Sequence, residues 1–270
     1  MPTIKSPSSG VRTVLHTLLL LLWCIVMPII HIIARCVGIA NLAGLHKQFH
    51  KGCCWLFSLN LTVKGELSEH KPTLFLVNHI SYLDIFVLGS LIPGYFIAKS
   101  EVASWPILGR LARFQNTLFF ERNSKKVRGQ IDMMQQHFDN NGNLMLFPEG
   151  TSTEGEHVEP FKSSLLQAVE RASVDVMIQP VTLAYTHYKG KPMDRNIRDH
   201  YAWYASMPFA SHFFNALGLA KANVSVVYHE PVKITDYESR KECAHACWEM
   251  VNNGLLAELD NDTQTIEQAA

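Results

Sequence analysis

The stretch TLFLVNHISYLDIFVLGSL (residues 73–91) carries, in order, the patterns of a buried strand, a turn and a helix. Its first five residues are mostly apolar, which predicts a short strand, and residues 81–91 predict an apolar helix. Asn78 and His79 fall on the turn between them, and Asp84 falls inside the helix. Functional side chains of parallel α/β sheets gather at the carboxyl ends of the strands, so His79 lies where a site is expected.

Short apolar runs separated by helical patterns continue from residue 61 towards the carboxyl end. The other runs that predict strands are 61–63, 94–98, 116–120, 143–147, 176–185 and 224–230. The helical patterns are 105–113, 124–141, 163–173 and 236–259. This alternation predicts an α/β fold with a mainly parallel central sheet flanked by helices. Pro180 interrupts one of the runs and predicts an edge strand or a bulge there.

The composition of the 270 residues excludes several classes of protein. Hydrophobic residues make up 47% of the chain, which is incompatible with a disordered protein. The 24 Lys and Arg balance the 24 Asp and Glu, so we expect no nucleic-acid partner bound through bulk positive charge. Cys243, His245 and Cys247 share a predicted helix, but no further ligand follows at a zinc-like spacing, so we expect no metal site.

The amino-terminal part of the chain has a different charge from the rest. Residues 1–65 contain six Lys or Arg and no Asp or Glu, so this segment carries +6 and the remainder carries −6. Residues 13–34 (TVLHTLLLLLWCIVMPIIHIIA) have no formal charge and are long enough to cross a bilayer core. We expect one spanning or deeply embedded helix followed by an interfacial helix. The alternative is a buried helical hairpin of a soluble protein.

These observations predict three parts of the chain. Residues 1–60 form membrane-attaching helices, residues 61–259 form the α/β domain, and residues 260–270 form a frayed acidic tail.

His79 and Asp84 are the first candidate pair for catalysis. A spacing of five does not place two side chains on one helix face. With His79 just before the helix and Asp84 in its first turns, however, the carboxylate can reach the imidazole. It would then fix the ring tautomer and stabilise the imidazolium, which is the arrangement of a general base. The alternative is a capping Asp beside a surface His.

Three further segments carry polar groups at predicted strand ends. Residues 143–155 (NLMLFPEGTSTEG) place Glu149, Gly150 and Thr151 on a turn, where backbone N–H groups can bind anionic oxygens. An ordinary surface turn is the alternative. Lys99 and Arg122 each follow an apolar run and together could neutralise a phosphate.

Four blocks in this order resemble the glycerolipid acyltransferases of the 1-acylglycerol-3-phosphate acyltransferase type. The blocks are NHISYLD (78–84), KSEVASWPILG with FFER (99–122), LFPEGTST (146–153) and IQPVTLAY (178–185). The resemblance covers about residues 70–185, and the membrane-attached amino terminus is similar as well. Residues 201–232 resemble, more loosely, the bacterial branch that includes lyso-ornithine lipid acyltransferases.

The resemblance implies transfer of a fatty acyl group from acyl-CoA or acyl-carrier protein to the free hydroxyl of a lysolipid. With 1-acyl-sn-glycerol-3-phosphate as acceptor, the product would be phosphatidic acid. His79 would be the base and Asp84 its partner, and no cofactor beyond the acyl donor is expected. The residues implied in substrate binding are Lys99, Arg122, Glu149, Gly150 and Thr151. We expect attachment to a bacterial inner membrane at its cytoplasmic face, through the amino-terminal segment. The charges alone do not decide the face, because cations flank both ends of the first apolar stretch.

Two points of the site stay open at this level. Backbone N–H groups near Asn78 or Gly150 are the candidates for binding the oxyanion of the reaction. The family usually reads FPEGTRS, whereas this chain has Ser152 in place of the Arg, so a phosphate-headed acceptor is in doubt. The alternatives are a lyso-ornithine lipid acceptor and, with water as acceptor, a lipase or thioesterase.

Overall fold

The structure is a computed structural model that describes residues 7–39, 42–105, 108–121 and 123–267. Its strands are β1 (Leu59–Lys64), β2 (Thr73–Val77), β3 (Tyr95–Lys99), β4 (Leu118–Phe120), β5 (Leu144–Leu146), β6 (Met177–Tyr188), β7 (Lys191–Pro192), β8 (Ala222–Tyr228) and β9 (Val232–Lys233). Its α-helices are α1 (Gly10–Cys36), α2 (Ala43–Leu56), α3 (Leu83–Leu91), α4 (Leu108–Phe114), α5 (Val127–Asp139), α6 (Gln167–Glu170), α7 (Arg195–Arg198), α8 (Phe209–Leu217) and α9 (Arg240–Glu267). Short 3₁₀ turns cover Ser100–Ser104, Ser124–Lys126, Ser163–Leu166 and Ile234–Asp236.

The strands form one sheet in the order β1-β8-β6-β2-β5-β3-β4, with β7 and β9 paired to β6. All neighbours along this order pair in parallel except β6 and β8, which are antiparallel. The prediction of a mainly parallel α/β sheet is therefore confirmed. β2 lies in the middle, between β5 and β6, so the loop that follows it opens at the centre of the sheet edge.

The two faces of β2 pack into two separate cores, because alternate side chains of a strand point to opposite faces. Phe75 and Val77 face one core, together with side chains of α2 and α3. Leu74 and Leu76 face the other, together with side chains of α5 and α9. All five β2 residues are buried, which agrees with the unbroken apolar run over 74–77. Cys243 and Cys247 of α9 belong to this second core as packing residues.

Pro180 does not mark an edge strand, so that prediction is wrong. It lies within β6 and pairs in register with Leu76 of β2. Its carbonyl accepts the N–H of His229 at 3.1 Å, just past the end of β8 and before β9 begins. Because the N and O atoms of a strand residue point to the same side, the missing N–H faces the gap between these two partner strands. The irregularity in β6 pairing occurs instead between Tyr185 and His187.

The apolar amino-terminal segment forms α1, a helix long and apolar enough to cross a bilayer by length and composition. Most of its apolar window is exposed, which disfavours a hairpin buried inside a soluble protein. Contacts to the rest of the chain nevertheless occur along its whole length. The N–H of Ser9 donates to the Gly218 carbonyl at 2.9 Å, and Trp23 Nε1 donates to the Phe49 carbonyl at 3.1 Å. Further along, the His31 ring lies 4.2 Å from the Phe114 ring.

α9 continues to Glu267, so the described part of segment 260–270 is helical rather than frayed. This segment contains no Gly or Pro, and the preceding turns of the helix are fixed against the sheet. A helix propagates readily from an existing turn, which explains the extension. The division of the chain into three parts stays a prediction.

Candidate active site

Asp84 lies in the first turn of α3, and its side chain is completely buried. Its Oδ2 accepts the N–H of Ile80 at 2.7 Å and the N–H of Ser81 at 2.9 Å. The same oxygen contacts Nδ1 of His79 at 2.9 Å. His79 and Asp84 lie close together because only a short turn separates the end of β2 from the start of α3. One carboxylate therefore fixes both the backbone of this turn and the His79 side chain.

The ring of His79 has a defined tautomer and orientation. Because Asp84 Oδ2 already accepts two backbone N–H groups, Nδ1 must be the donor, and Nε2 is left unprotonated in the neutral ring. The ring stacks on Phe147 with 4.1 Å between the ring centroids and 18° between the planes. Its side chain is 22% exposed, so Nε2 remains accessible. In this geometry Nε2 of His79 can accept a proton from a ligand, and Asp84 can stabilise the resulting imidazolium.

Tyr185 supports the pair from β6, and sequence reasoning did not single it out. Its hydroxyl donates to Asp84 Oδ1 at 3.0 Å. Burial and the neighbouring Asp84 carboxylate raise the pKa of Tyr185 well above its usual value, so the hydroxyl stays protonated as a donor. The signal was available, since Tyr185 ends the block 178–185.

Glu149 fixes the backbone around the site instead of facing the cavity. It is 2% exposed. Its Oε1 accepts the N–H of His79 at 2.5 Å, and its Oε2 accepts the N–H of Glu159 at 2.8 Å. Burial raises the pKa of Glu149 to about 8, although these two N–H donors favour the ionised form. The resemblance predicts that Glu149 binds substrate. In the structure both of its oxygens accept backbone N–H groups, and it does not line the cavity described below.

A cavity of about 490 Å³ opens beside the His79 ring. Its wall is largely apolar, and residues of α2, α3, β3, α4 and α5 contribute to it. Of the predicted site residues, His79, Lys99 and Gly150 line it. Ser152 and Lys162 line it as well and were not predicted as ligands.

Besides Glu149, one described substrate-binding candidate does not reach the cavity. Thr151 is exposed and does not belong to the cavity wall. Arg122 lies outside the described residues.

The sequence model of the Acyltransferase family matches residues 60–184. A lyso-ornithine lipid O-acyltransferase of Rhizobium meliloti is 32% identical over 251 residues, covering 91% of this chain and 86% of that protein. The chain belongs to the glycerolipid acyltransferase family. It is an acyltransferase of the lysolipid type, as the four sequence blocks predict.

Further relatives of the acyltransferase differ in the acceptor that their names give. A lyso-ornithine lipid O-acyltransferase of Rhodobacter capsulatus is 36% identical, covering 75% of this chain and 72% of that protein. A 1-acyl-sn-glycerol-3-phosphate acyltransferase of Neisseria gonorrhoeae is 34% identical, covering 56% of this chain and 58% of that protein. The crystal structure of the acyltransferase PlsC from Thermotoga maritima has a TM-score of 0.57 at 22% identity, covering 90% of this chain and 96% of that one. This last likeness shows a shared fold.

Of the oxyanion candidates, the Gly150 N–H is already hydrogen-bonded, and the side chain of Asn78 is also in use, while the backbone N–H groups near Asn78 stay a prediction. Asn78 Nδ2 donates to the Leu183 carbonyl at 2.9 Å, and Asn78 Oδ1 accepts the Leu183 N–H at 2.7 Å. The N–H of Gly150 donates to the Phe147 carbonyl at 3.1 Å. Oxyanion donors are effective when they already point at the developing charge. The Asn78 side chain therefore connects β2 to β6, and the Gly150 N–H closes its own turn.

Ser152 occupies the position where the family usually has Arg, and its hydroxyl donates to the Trp203 carbonyl at 2.6 Å. The N–H of Trp203 in turn donates to the Ile80 carbonyl at 3.0 Å, next to His79. The Trp203 and Trp105 rings both line the cavity and lie edge to face, with 6.1 Å between centroids. In the acyltransferase, position 152 therefore has no cation, and the Ser152 hydroxyl is bonded to Trp203 of the aromatic part of the cavity wall.

The buried Glu149 carboxyl should make the stability of the acyltransferase depend on pH. Its pKa is about 8 in the folded chain and near 4.5 when unfolded, so the native state binds more protons between these values. The contribution of this carboxyl to the free energy of unfolding should therefore fall as pH rises from about 5 to about 8. The buried His50 and His212, whose pKa burial lowers to about 4, change stability in the opposite direction, so the Glu149 contribution is measured as a difference from a variant. Thermal unfolding in detergent across this range measures the effect.

The Glu149→Gln variant should lose this decline, because its amide does not titrate. Glu230→Gln, at an exposed position, is the matched control and should keep the wild-type slope. Equal slopes in the wild type and in Glu149→Gln would contradict the assignment.

Proposed function

We propose that this acyltransferase moves a fatty acyl group from an acyl thioester to the free hydroxyl of a lyso-ornithine lipid, with His79 as general base. The observation that carries the proposal is the His79–Asp84 pair, at 2.9 Å, at the wall of a largely apolar cavity. The donor is acyl-CoA or acyl-carrier protein, and no cofactor beyond it enters the proposed reaction.

In the proposed reaction, Nε2 of His79 takes the proton of the acceptor hydroxyl as its oxygen attacks the thioester carbonyl. A carbon–oxygen bond forms, the carbon–sulfur bond then breaks, and the thiolate leaves with the proton from the imidazolium. Asp84 stabilises the imidazolium, while Tyr185 and two backbone N–H groups fix the carboxylate in place. A positioned base of this kind contributes about 10²–10⁴-fold to the rate.

Two observations favour the ornithine-headed acceptor. Two relatives that cover 75% and 91% of this chain at 36% and 32% identity carry that name, and Ser152 replaces the Arg of the phosphate-binding pattern. The ammonium group of an ornithine headgroup would be repelled by an Arg at this position, whereas aromatic faces attract it. Trp105 and Trp203 supply such faces at the cavity wall.

The second candidate acceptor is 1-acyl-sn-glycerol-3-phosphate. It is favoured by Lys99 and Lys162, two cations that line the cavity and could both bind a phosphate.

We propose further that the chain is attached to one face of a membrane, the cytoplasmic face of a bacterial inner membrane, through α1 and α2. The contacts at Ser9 and His31 keep α1 along the surface of the α/β unit, and the Trp23 contact joins it to α2. A helix held in this way lies in the membrane plane instead of crossing it. Its free side is apolar, as is Trp55 of α2, which is 67% exposed. The lysolipid then enters the cavity from the same leaflet.

Replacement of the proposed base should abolish the reaction. His79→Ala and Asp84→Asn should each lower lysolipid-dependent thiol release from the acyl donor by about 10²-fold or more, with an unchanged circular dichroism spectrum. His245→Ala is the matched control, because His245 is exposed on α9 away from the cavity, and it should keep full activity. Full activity of His79→Ala would refute the mechanism, and thiol release that does not require lysolipid would indicate a thioesterase.

We expect the side chain at position 152 to determine which acceptor lipid is preferred. The wild type should acylate lyso-ornithine lipid faster than 1-acyl-sn-glycerol-3-phosphate when both are offered with each donor. Ser152→Arg should shift this ratio towards the phosphate by about tenfold, since a bidentate Arg–phosphate pair forms and the ammonium is repelled. Ser152→Ala, which removes the Trp203 bond without adding a charge, is the control. A preference of the wild type for the phosphate acceptor would support the second candidate.

The membrane orientation can be measured from the two ends of α1. Cys36, at its carboxyl end, is exposed, and Ser9, at its amino end, is exposed as well. A membrane-impermeant maleimide should label Cys36 and a Ser9→Cys, Cys36→Ser variant from the same face of sealed vesicles. Labelling of the two ends from opposite faces would show that α1 crosses the bilayer.

A further inference from the structure

Lys162 reaches over the turn that follows β5, although sequence reasoning gave it no role. Its Nζ donates to the Glu149 carbonyl at 2.9 Å. Gly150 has φ +69°, and a Cβ atom at this position would lie 2.8 Å from Nζ. Glycine at 150 thus allows both the left-handed turn and the close approach of the ammonium group.

The backbone of the segment before Lys162 is fixed to the same turn. The N–H of Lys162 donates to the Pro148 carbonyl at 3.0 Å, and the N–H of Glu159 donates to Glu149 Oε2 at 2.8 Å. Phe161, which lies between Glu159 and Lys162 in the sequence, is buried in the core that contains side chains of α5 and α9. The position of the Lys162 side chain is therefore set by the same carboxylate that fixes the His79 backbone.

The ammonium group of Lys162 has donors left for a ligand. Of its three N–H groups, one is used by the Glu149 carbonyl, its single hydrogen bond with the described residues. Lys162 lines the cavity together with His79, Gly150 and Ser152. A positive charge whose hydrogen bond goes to a neutral carbonyl, at the wall of a mostly apolar cavity, is suited to an anionic ligand group.

We propose that Lys162 binds the anionic group of the acceptor headgroup, in place of the Arg that the family usually has at position 152. The proposal rests on the proposed function and names a specificity residue of the same site. Two acceptors share the required chemistry, because an ornithine headgroup offers a carboxylate and a glycerophosphate headgroup offers a phosphate. Held beside the 149–152 turn, the anion places the acceptor hydroxyl near His79 Nε2.

Three variants separate the charge of Lys162 from its packing. Lys162→Met removes the charge and keeps a similar length, Lys162→Gln keeps a hydrogen-bond donor for the Glu149 carbonyl, and Lys162→Arg keeps the charge. Each is made in the full chain, alone for kinetics and together with His79→Ala for equilibrium binding without turnover. The probes are lyso-ornithine lipid, 1-acyl-sn-glycerol-3-phosphate and 1-monoacylglycerol, whose headgroup has no charge.

We expect Lys162→Met and Lys162→Gln to weaken binding of both anionic lysolipids by about tenfold, with a matching rise in KM, because a charge-assisted hydrogen bond is lost. Lys162→Arg should stay within about threefold of wild type. Binding and turnover of 1-monoacylglycerol should not change in any variant, which also shows that the site is folded.

Other results would overturn the assignment. An equal loss for 1-monoacylglycerol would indicate a structural role, and a fall in kcat at constant KM for all acceptors would indicate that Lys162 acts on the thioester oxyanion. Unchanged binding of both anionic lysolipids would show that the headgroup lies elsewhere. Failure of the proposed function is distinguishable, because it would show in the wild type, which would then acylate none of the three lipids.

Discussion

The buried carboxylate of Asp84 is the constraint on which the site depends. A charged group without water must be surrounded by donors, and Asp84 has four of them within 3.0 Å: two backbone N–H groups, the His79 ring and the Tyr185 hydroxyl. These donors come from the turn after β2 and from the neighbouring strand β6. To satisfy the carboxylate, the chain must therefore bring the turn, the helix start and β6 into one arrangement. That arrangement leaves Nε2 of His79 accessible to the cavity.

Glu149 has a similar structural role beside β5, the other strand that pairs with β2. It follows β5, and its two oxygens bind the N–H groups of His79 and Glu159. The carboxylate of Asp84 thus fixes the imidazole ring of His79, and the carboxyl group of Glu149 fixes its backbone. Both act at the carboxyl ends of adjacent parallel strands, where the fold leaves an opening at the edge of the sheet. Rigid placement of this kind suits the general-base role proposed for His79.

The distribution of apolar and polar surface in the structure fits a lysolipid substrate. The cavity beside His79 is mostly apolar, and polar groups are concentrated near the 149–152 turn. α1 exposes a continuous apolar surface while its other side contacts the α/β unit. A lysolipid has the same division between tail and headgroup. The family relationship and this distribution of polarity agree with one another, although each comes from different observations.

The sequence by itself determined the elements whose signals are local. The mostly apolar run 73–77 and the turn at His79 predict a strand end with a functional residue. The position of Asp84 in the first turns of the next helix makes the pair possible, and the structure decides it against a capping Asp beside a surface His. The order of the four blocks determined the family, since several matched motifs are far more specific than one.

Only the tertiary structure decided the contacts between distant segments. Tyr185 lies 101 residues from Asp84, and no local pattern connects them. Lys162 meets the Gly150 turn because the intervening chain folds back on it, and the carboxylate of Glu149 turns inward to backbone N–H groups that the sequence does not display. Pro180 fits inside the sheet because its missing N–H faces a gap between two partner strands. Local patterns follow from the periodicity of one element, whereas these contacts depend on how elements pack together, and packing is set by the whole chain.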